Sequence, residues 1–360
     1  MRVRWRPHPH CRHGPRRRRP RQRPRQRRCV DGQPCRRRRR GRRCAEARAV
    51  SLSQWPSEVP RIAARDAAGH KGTFGRVLIV GGCMQAPLVM VGGPALAALG
   101  ALRSGCGLAE LAMPASLLVA GLTIAPSAVG HAIELDECGL PTARALKALA
   151  ERAAFADAVV CGPGLGAHAG SIVRSIMASA RRLVLDADAL NAFASDASVK
   201  PPSVVASEAD LCTALRARAP GSTVLTPHVG EARRLARSCG LSETASAADL
   251  SRALGAVVVL KSHETSIADV AHAWSVRAGT SALATAGSGD VLAGVIAGLW
   301  AQATECSTFD LARQAVCLHG LASVQWSAAH GHAGLLAQDL ASAIPAELER
   351  WRLGDARAMR

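Results

Sequence analysis

The chain has 360 residues, 48% of them apolar, which allows one large domain or two small ones with a sizeable core. Its formal charge of +19 sits at one end: residues 1–48 hold 21 Arg, no Lys and two acids, Asp31 and Glu46, so residues 49–360 balance at 25 basic and 25 acidic groups. The basic balance therefore describes a tail and implies no nucleic-acid surface on the folded part.

Four of the 12 cysteines (Cys11, Cys29, Cys35 and Cys44) lie in that tail, and the other eight are scattered singly, without CxxC or matched His spacing. This argues against a zinc site and for a reducing, cytoplasmic location. The N-terminus lacks the apolar core of a signal peptide. Two uncharged stretches, 77–102 and 111–133, are long enough to span a bilayer. Glycines, prolines and polar residues break both, so strand, glycine turn and buried helix are expected, and no membrane span.

Residues 1–50 are low in complexity, with RRRR and RRRRR blocks that predict a disordered Arg-rich tail. A tail without a task, an arm for nucleic acid or anionic surfaces, and upstream sequence wrongly included in the gene all fit it. Residues 51–350 are expected to form one domain, with its first structure starting between Ser51 and Lys71, and 351–360 a C-terminal tail. The run RVLIVGG (76–82) predicts a buried strand, 94–102 a helix and 108–114 a second strand. A strand at 156–161 enters the turn GPGLG; another at 183–185 enters the helical DADALNAF. Strand 223–225 leads to TPHVGEARRLA, helical from Glu231. The β-branched run 256–261 predicts a strong strand, with 265–268 beside it. Helices follow at 290–301, 310–329 and 335–348. Buried strands alternating with helices imply an α/β fold, a mostly parallel central sheet flanked by helices. Its ligands belong at the carboxyl ends of the strands.

The segments at those ends carry the chemistry. In AGSGDVLAGVIAGL, Gly287, Ser288 and Gly289 form a candidate anion hole where a helix starts and backbone N–H groups are unpaired. Asp290, at the same helix start, can take a proton from a hydroxyl attacking phosphorus; the plainer alternative is a helix cap. Lys261 ends a strand and can hold a phosphate as a point charge, or be an ordinary strand-end lysine. His228 in TPHVGE can hydrogen-bond a substrate. CGPGLG (161–166) suits a tight loop against a ligand. KGTFG (71–75) is no Walker A, since no GK[ST] follows, and no GxGxxG opens a helix. Asp186 and Asp188 can position metal-bound water or cap a helix.

Together these segments resemble one family. KGTFGRVLIVGG, GALRSGCG, VVCGPGLG, LVLDADALNAF, TPHVGEARRL, VVVLKSHET, ATAGSGDVLAGVIAGLWAQ and AVCLHG stand in the order found in the ADP-dependent NAD(P)H-hydrate dehydratases, over about residues 65–348. The resemblance implies a ribokinase-like three-layer fold and a repair reaction. Hydrated NADH or NADPH would be returned to NAD(P)H while ADP gives AMP and phosphate, with Mg²⁺ accompanying the nucleotide and Asp290 as the catalytic base. It places nucleotide binding on Lys261, Ser262, His263, Glu264, Thr265 and Gly289. Substrate binding falls on Gly93, Gly164, His228 and Asp290. No metal ligand is assigned. Two positions depart from the family pattern: Ser262 replaces a glycine, which puts nucleotide affinity in question, and Val229 replaces a proline. Many relatives add an N-terminal epimerase domain; residues 1–64 are too short and too charged for one, which implies the dehydratase unit alone. A kinase of the same superfamily acting on a vitamin-precursor alcohol is the runner-up reading. A nucleic-acid binder working through the Arg tail comes last, and a homo-oligomer is compatible with the sequence.

Overall fold

The computed structural model of the chain describes residues 54–352, apart from 86, 167–168, 194–207 and 303–304. The expected tails, residues 1–50 and all but the first two of 351–360, lie outside the described residues.

The chain enters the sheet at β1 (Arg76–Val80), whose last four residues are buried. A short antiparallel ribbon follows, β2 (Cys83–Gln85) and β3 (Leu88–Met90), and then α1 (Gly92–Arg103). Next come β4 (Leu108–Pro114), α2 (Ala115–Ile124) and β5 (Val129–Ile133). The chain then returns to the other side of β1 through α3 (Ala143–Phe155), β6 (Ala158–Cys161), α4 (Ala169–Ser179), β7 (Leu183–Leu185) and the single turn α5 (Asp188–Asn191). From there α6 (Glu208–Arg216), β8 (Thr223–Leu225), α7 (Val229–Ser238), α8 (Ala247–Leu254) and β9 (Val257–Leu260) continue outward. Strands β10 (Thr265–Ala268) and β11 (Ala273–Val276) end the sheet. Helices α9 (Ser288–Gln302), α10 (Thr308–His330) and α11 (Ala337–Arg350) complete the domain.

The strand order is β11-β10-β9-β8-β7-β6-β1-β4-β5. All neighbours from β9 to β5 pair in parallel, and β10 and β11 turn antiparallel. The two uncharged stretches thus resolve into the pieces around β1 to α1 and β4 to β5. No helix of the described residues is long and apolar enough to cross a membrane.

Alternate residues of each strand feed two cores. Val77, Ile79 and Val160 pack under α1, α9, α10 and α11, whereas Leu78, Val80 and Val159 pack under α3, α4, α7 and α8. This is the signature of a parallel sheet covered on both faces. Strand order reverses between β6 and β4 around β1, and such a reversal opens a crevice at the carboxyl ends of the strands. Gly81–Gly82 and Pro163 lie there, with Gly82 N donating to Pro163 O at 3.0 Å.

Helices α1 and α9 meet across small residues. A Cβ added at Gly100 would lie 2.4 Å from Val291 O, and one at Gly294 would lie 2.0 Å from Ala97 O. Both neighbours are backbone and cannot swing away. Gly294→Ala is therefore expected to cost about 1–3 kcal/mol by overpacking, read as a lower Tm in thermal denaturation; an unchanged Tm would mean that the seam can open.

Two expectations need correction. Helix α9 begins at Ser288 and not at Asp290, and α7 begins at Val229 and not at Glu231. In both cases the residue taken as the first helical one occupies the third position, because the two residues before it, Ser288–Gly289 and Val229–Gly230, already adopt the first turn. The β2–β3 ribbon and the edge strands β5 and β11 had no expectation at all.

Candidate active site

Loops after β1, β6, β7, β8 and β9 converge with the start of α9. Asp290 sits in the first turn of α9, mostly buried. A Cβ built on Gly93, at the start of α1, would stand 3.2 Å from Asp290 Oδ1 and 3.3 Å from Pro163 Cβ. Gly93 is thus the floor that keeps the carboxylate approachable. Burial, reinforced by the Asp186 carboxylate, raises the pKa of Asp290 to about 7. A carboxylate so tuned is suited to accept a proton near neutral pH.

Lys261 follows β9 directly. Its Nζ donates to Asp186 Oδ1 at 2.7 Å, and Asp186 is 2% exposed. Burial opposes the ammonium charge, but Asp186 and then Glu231 outweigh it, and its pKa is raised. The same Nζ lies 3.1 Å from where a Cβ on Gly289 would be, so lysine and glycine turn face one space. The N–H groups of Gly289 and Asp290, in the first turn of α9, have no acceptor one helical turn back.

Ser288 is turned away from that space. Its hydroxyl donates toward Leu283 O and Thr285 O, at 2.9 and 3.0 Å, and its carbonyl accepts from His319 Nε2 at 2.9 Å. Only its backbone can therefore belong to an anion hole. Burial depresses the pKa of His319, on α10, to about 4, so the ring is a neutral donor that braces the turn. His319→Leu is expected to lower Tm and His319→Gln, which keeps an N–H donor, to lower it less; thermal denaturation of both variants checks this. Gly287 adopts φ +90, a conformation that favours glycine.

The 261–265 loop is pinned locally. Ser262 Oγ donates to Glu264 O and accepts from Glu264 N, so the residue replacing the family glycine folds back on its own loop. Glu264 pairs with Arg277 at 3.2 Å, Thr265 opens β10, and His263 is exposed. Gly164 takes φ +65 in the CGPGLG loop, where its Cβ would meet Met90 Cβ at 2.9 Å.

His228 caps α7 with its ring. Nδ1 accepts from Gly230 N at 2.9 Å and from Glu231 N at 3.3 Å, while Glu231 Oε2 accepts from His228 N at 2.8 Å. The acceptor role of Nδ1 assigns the tautomer with the proton on Nε2. Burial, then Lys261 and Arg234, lower its pKa and keep it neutral. Burial raises the pKa of Glu231, 5% exposed, to about 7.

Asp290, Lys261, Gly289, Gly93, Gly164 and His228 are therefore on one rim. Asp186, Glu231 and His319 join them without having been singled out as site residues. Asp186 was visible only as a cap or metal-positioning residue, since its partner lies 75 residues on. Among the described residues, no group of three or more His, Cys, Asp and Glu is spaced to hold a metal ion by itself.

The chain is similar to known proteins in sequence and fold. A family profile described as NAD(P)H-hydrate dehydratase matches residues 77–346. The bifunctional NAD(P)H-hydrate repair enzyme of Salinibacter ruber is 37% identical over 309 residues, 82% of this chain and 52% of that protein. The chain thus spans about half the length of such bifunctional relatives. The ADP-dependent (S)-NAD(P)H-hydrate dehydratase of Xanthomonas campestris pv. campestris is 34% identical over 292 residues, 78% of this chain and 91% of that one. Among solved structures, the ADP/ATP-dependent NAD(P)H-hydrate dehydratase from Bacillus subtilis, co-crystallized with ATP/Mg²⁺, superposes with a TM-score of 0.60 at 27% identity, covering 82% of this chain and all of that one. The ribokinase-like three-layer architecture implied by the sequence resemblance is the one observed, and the chain belongs to the NAD(P)H-hydrate dehydratase family.

Proposed function

We propose that the chain catalyses the ADP-dependent dehydration of hydrated NADH and NADPH to NAD(P)H, releasing AMP and phosphate. The observation that carries this reading is the meeting of Asp290, with its pKa raised to about 7, and the Lys261–Gly289 space at the helix start. Hydroxide leaves poorly from the reduced ring, whereas a phosphorylated hydroxyl leaves readily. Asp290 accepts the hydroxyl proton as that oxygen bonds to the terminal phosphorus of ADP and the bond to AMP breaks. Lys261 and the N–H groups around Gly289 take the charge on the phosphoryl oxygens. Phosphate then leaves, the neighbouring ring carbon gives up a proton, and the double bond of NAD(P)H is restored. Gly93, Gly164 and His228 line the substrate side; residues 261–265 line the nucleotide side.

A nucleotide-borne Mg²⁺ fits the donor set. Asp186, Glu231 and Asp290 give three carboxylates against one lysine, and Mg²⁺ is commonly held by one or two carboxylates with phosphate oxygens and water. When bound, the ion would neutralise charge developing on the transferred group. None of the eight cysteines of the described residues is in a disulfide, which supports a reducing, cytoplasmic location. The same proposal takes residues 51–350 as the catalytic domain, with no nucleic acid bound through it.

The test is absorbance at 340 nm with hydrated NADH, Mg²⁺ and either ADP or ATP. A rise with ADP supports the proposal. No rise with either nucleotide from folded protein overturns it and favours a kinase acting on a vitamin-precursor alcohol.

A further inference from the structure

Two cations stand beside His228: Lys261 and Arg234. Lys261 is committed to Asp186. Arg234 is held differently. It lies one turn into α7, so its side chain leans back toward the helix N-terminus and the rim. Its Nε and Nη2 both donate to Asn191 Oδ1, at 3.1 and 2.8 Å. Asn191 Nδ2 in turn donates to Asp188 Oδ1 at 3.2 Å, and Asp188 Oδ2 accepts from Gly166 N at 2.9 Å. One run of hydrogen bonds therefore joins α7, through α5, to the CGPGLG loop that carries Gly164.

This run fixes the plane of the guanidinium and leaves Nη1 without a hydrogen-bond partner among the described residues. Nη1 lies 3.9 Å from where a Cβ on Gly230 would be, on the His228 side. The anchor is a neutral amide, and among the described residues no carboxylate stands within ion-pair distance of the guanidinium, although Glu231 feels its charge. A planar, oriented guanidinium with a free edge matches a phosphate better than any other side chain does. A hydrated dinucleotide whose ring lies at Asp290 carries two phosphates along its length, and ADP brings its own to Lys261.

Resting on the proposed function, we infer that Arg234 is a substrate-recognition residue whose Nη1 takes a phosphate oxygen of the dinucleotide's pyrophosphate bridge, with Asn191 as the positioning residue that aims it. The two anionic ligands then enter on separate cations, ADP on Lys261 and the dinucleotide on Arg234. Asp188 ties this contact to the loop bearing Gly164, so the two substrate walls are held to each other.

The experiment compares wild type with Arg234→Gln, Arg234→Lys and Asn191→Ala, each checked for Tm. It measures KM for hydrated NADH, KM for ADP, kcat, and the Kd of the product NADH by its fluorescence. Arg234→Gln is expected to raise KM for hydrated NADH and Kd for NADH by about tenfold or more, the usual worth of a charge-assisted hydrogen bond. KM for ADP and kcat should stay within about twofold. Arg234→Lys should recover part of the loss, and Asn191→Ala, which leaves the charge but not its aim, should raise the same two constants and no other. An unchanged KM for hydrated NADH in a folded Arg234→Gln variant overturns the inference, as does a rise confined to KM for ADP. If wild type gives no repair activity at all, the proposed function fails instead, and NADH binding still reads the Arg234 contact separately.

Discussion

Replacing Asp290 by Asn is expected to lower kcat by about 10²- to 10⁴-fold, the range that a positioned general base supplies, with KM for ADP little changed. Asparagine keeps the shape and the space beside Gly93 but cannot accept the hydroxyl proton. Initial rates at 340 nm with saturating ADP measure the loss; a variant with more than a tenth of wild-type kcat would remove Asp290 from the chemistry. The pH profile follows from the same carboxylate. Its pKa is raised to about 7, so the base is increasingly protonated below that value and kcat should fall on the acid side. Stability moves in the opposite sense. Between the ordinary value of 3.8 and about 7 the folded protein holds a proton that the unfolded chain has lost. Stability from this group therefore declines as pH rises through that window and stays low above it. Asp290→Asn removes the buried charge, so at pH 8 the inactive variant should melt above wild type. A variant that is both inactive and less stable at pH 8 would point to a structural role.

The second large effect is expected at Lys261. Lys261→Met leaves the Asp186 carboxylate, 2% exposed, without its partner. Breaking a buried pair from one side costs about 3–5 kcal/mol, which corresponds to a fall in Tm on the order of 10 °C for a domain of this size. The double variant Lys261→Met/Asp186→Asn removes both charges and should recover much of the stability, while ADP binding is lost in both. Thermal denaturation of wild type, Lys261→Met, Asp186→Asn and the double variant forms a double-mutant cycle, and calorimetric titration with ADP supplies the second readout. Losses in the double variant equal to the sum of those in the two single variants would mean that the pair is not coupled.

The parts of this molecule legible in its sequence are those with local causes. The continuous apolar runs of β1, β6 and β9 and the glycines of the α9 turn declare themselves within a few residues. Three-residue strands such as β2 and β3 do not, because a ribbon that short is fixed by its pairing and not by any period of its own. The same divide runs through the site. Asp290 and Lys261 stand in motifs whose chemistry can be argued in isolation. The partners that tune them, Asp186 for Lys261 and His319 for the Ser288 carbonyl, come from segments joined only by the fold. Glu231 was visible as a helix-starting acid, but its burial was not.

The glycine seam between α1 and α9 has a bearing on alignment. Gly93 lies in the first turn of one of these helices and Asp290 in the first turn of the other, so the gap between substrate floor and base is set where main chain rests on main chain. Side-chain interfaces can redistribute error among rotamers, but a contact without side chains has no such slack. The seam acts as a gauge: it fixes one spacing rigidly, whatever the side chains around it do.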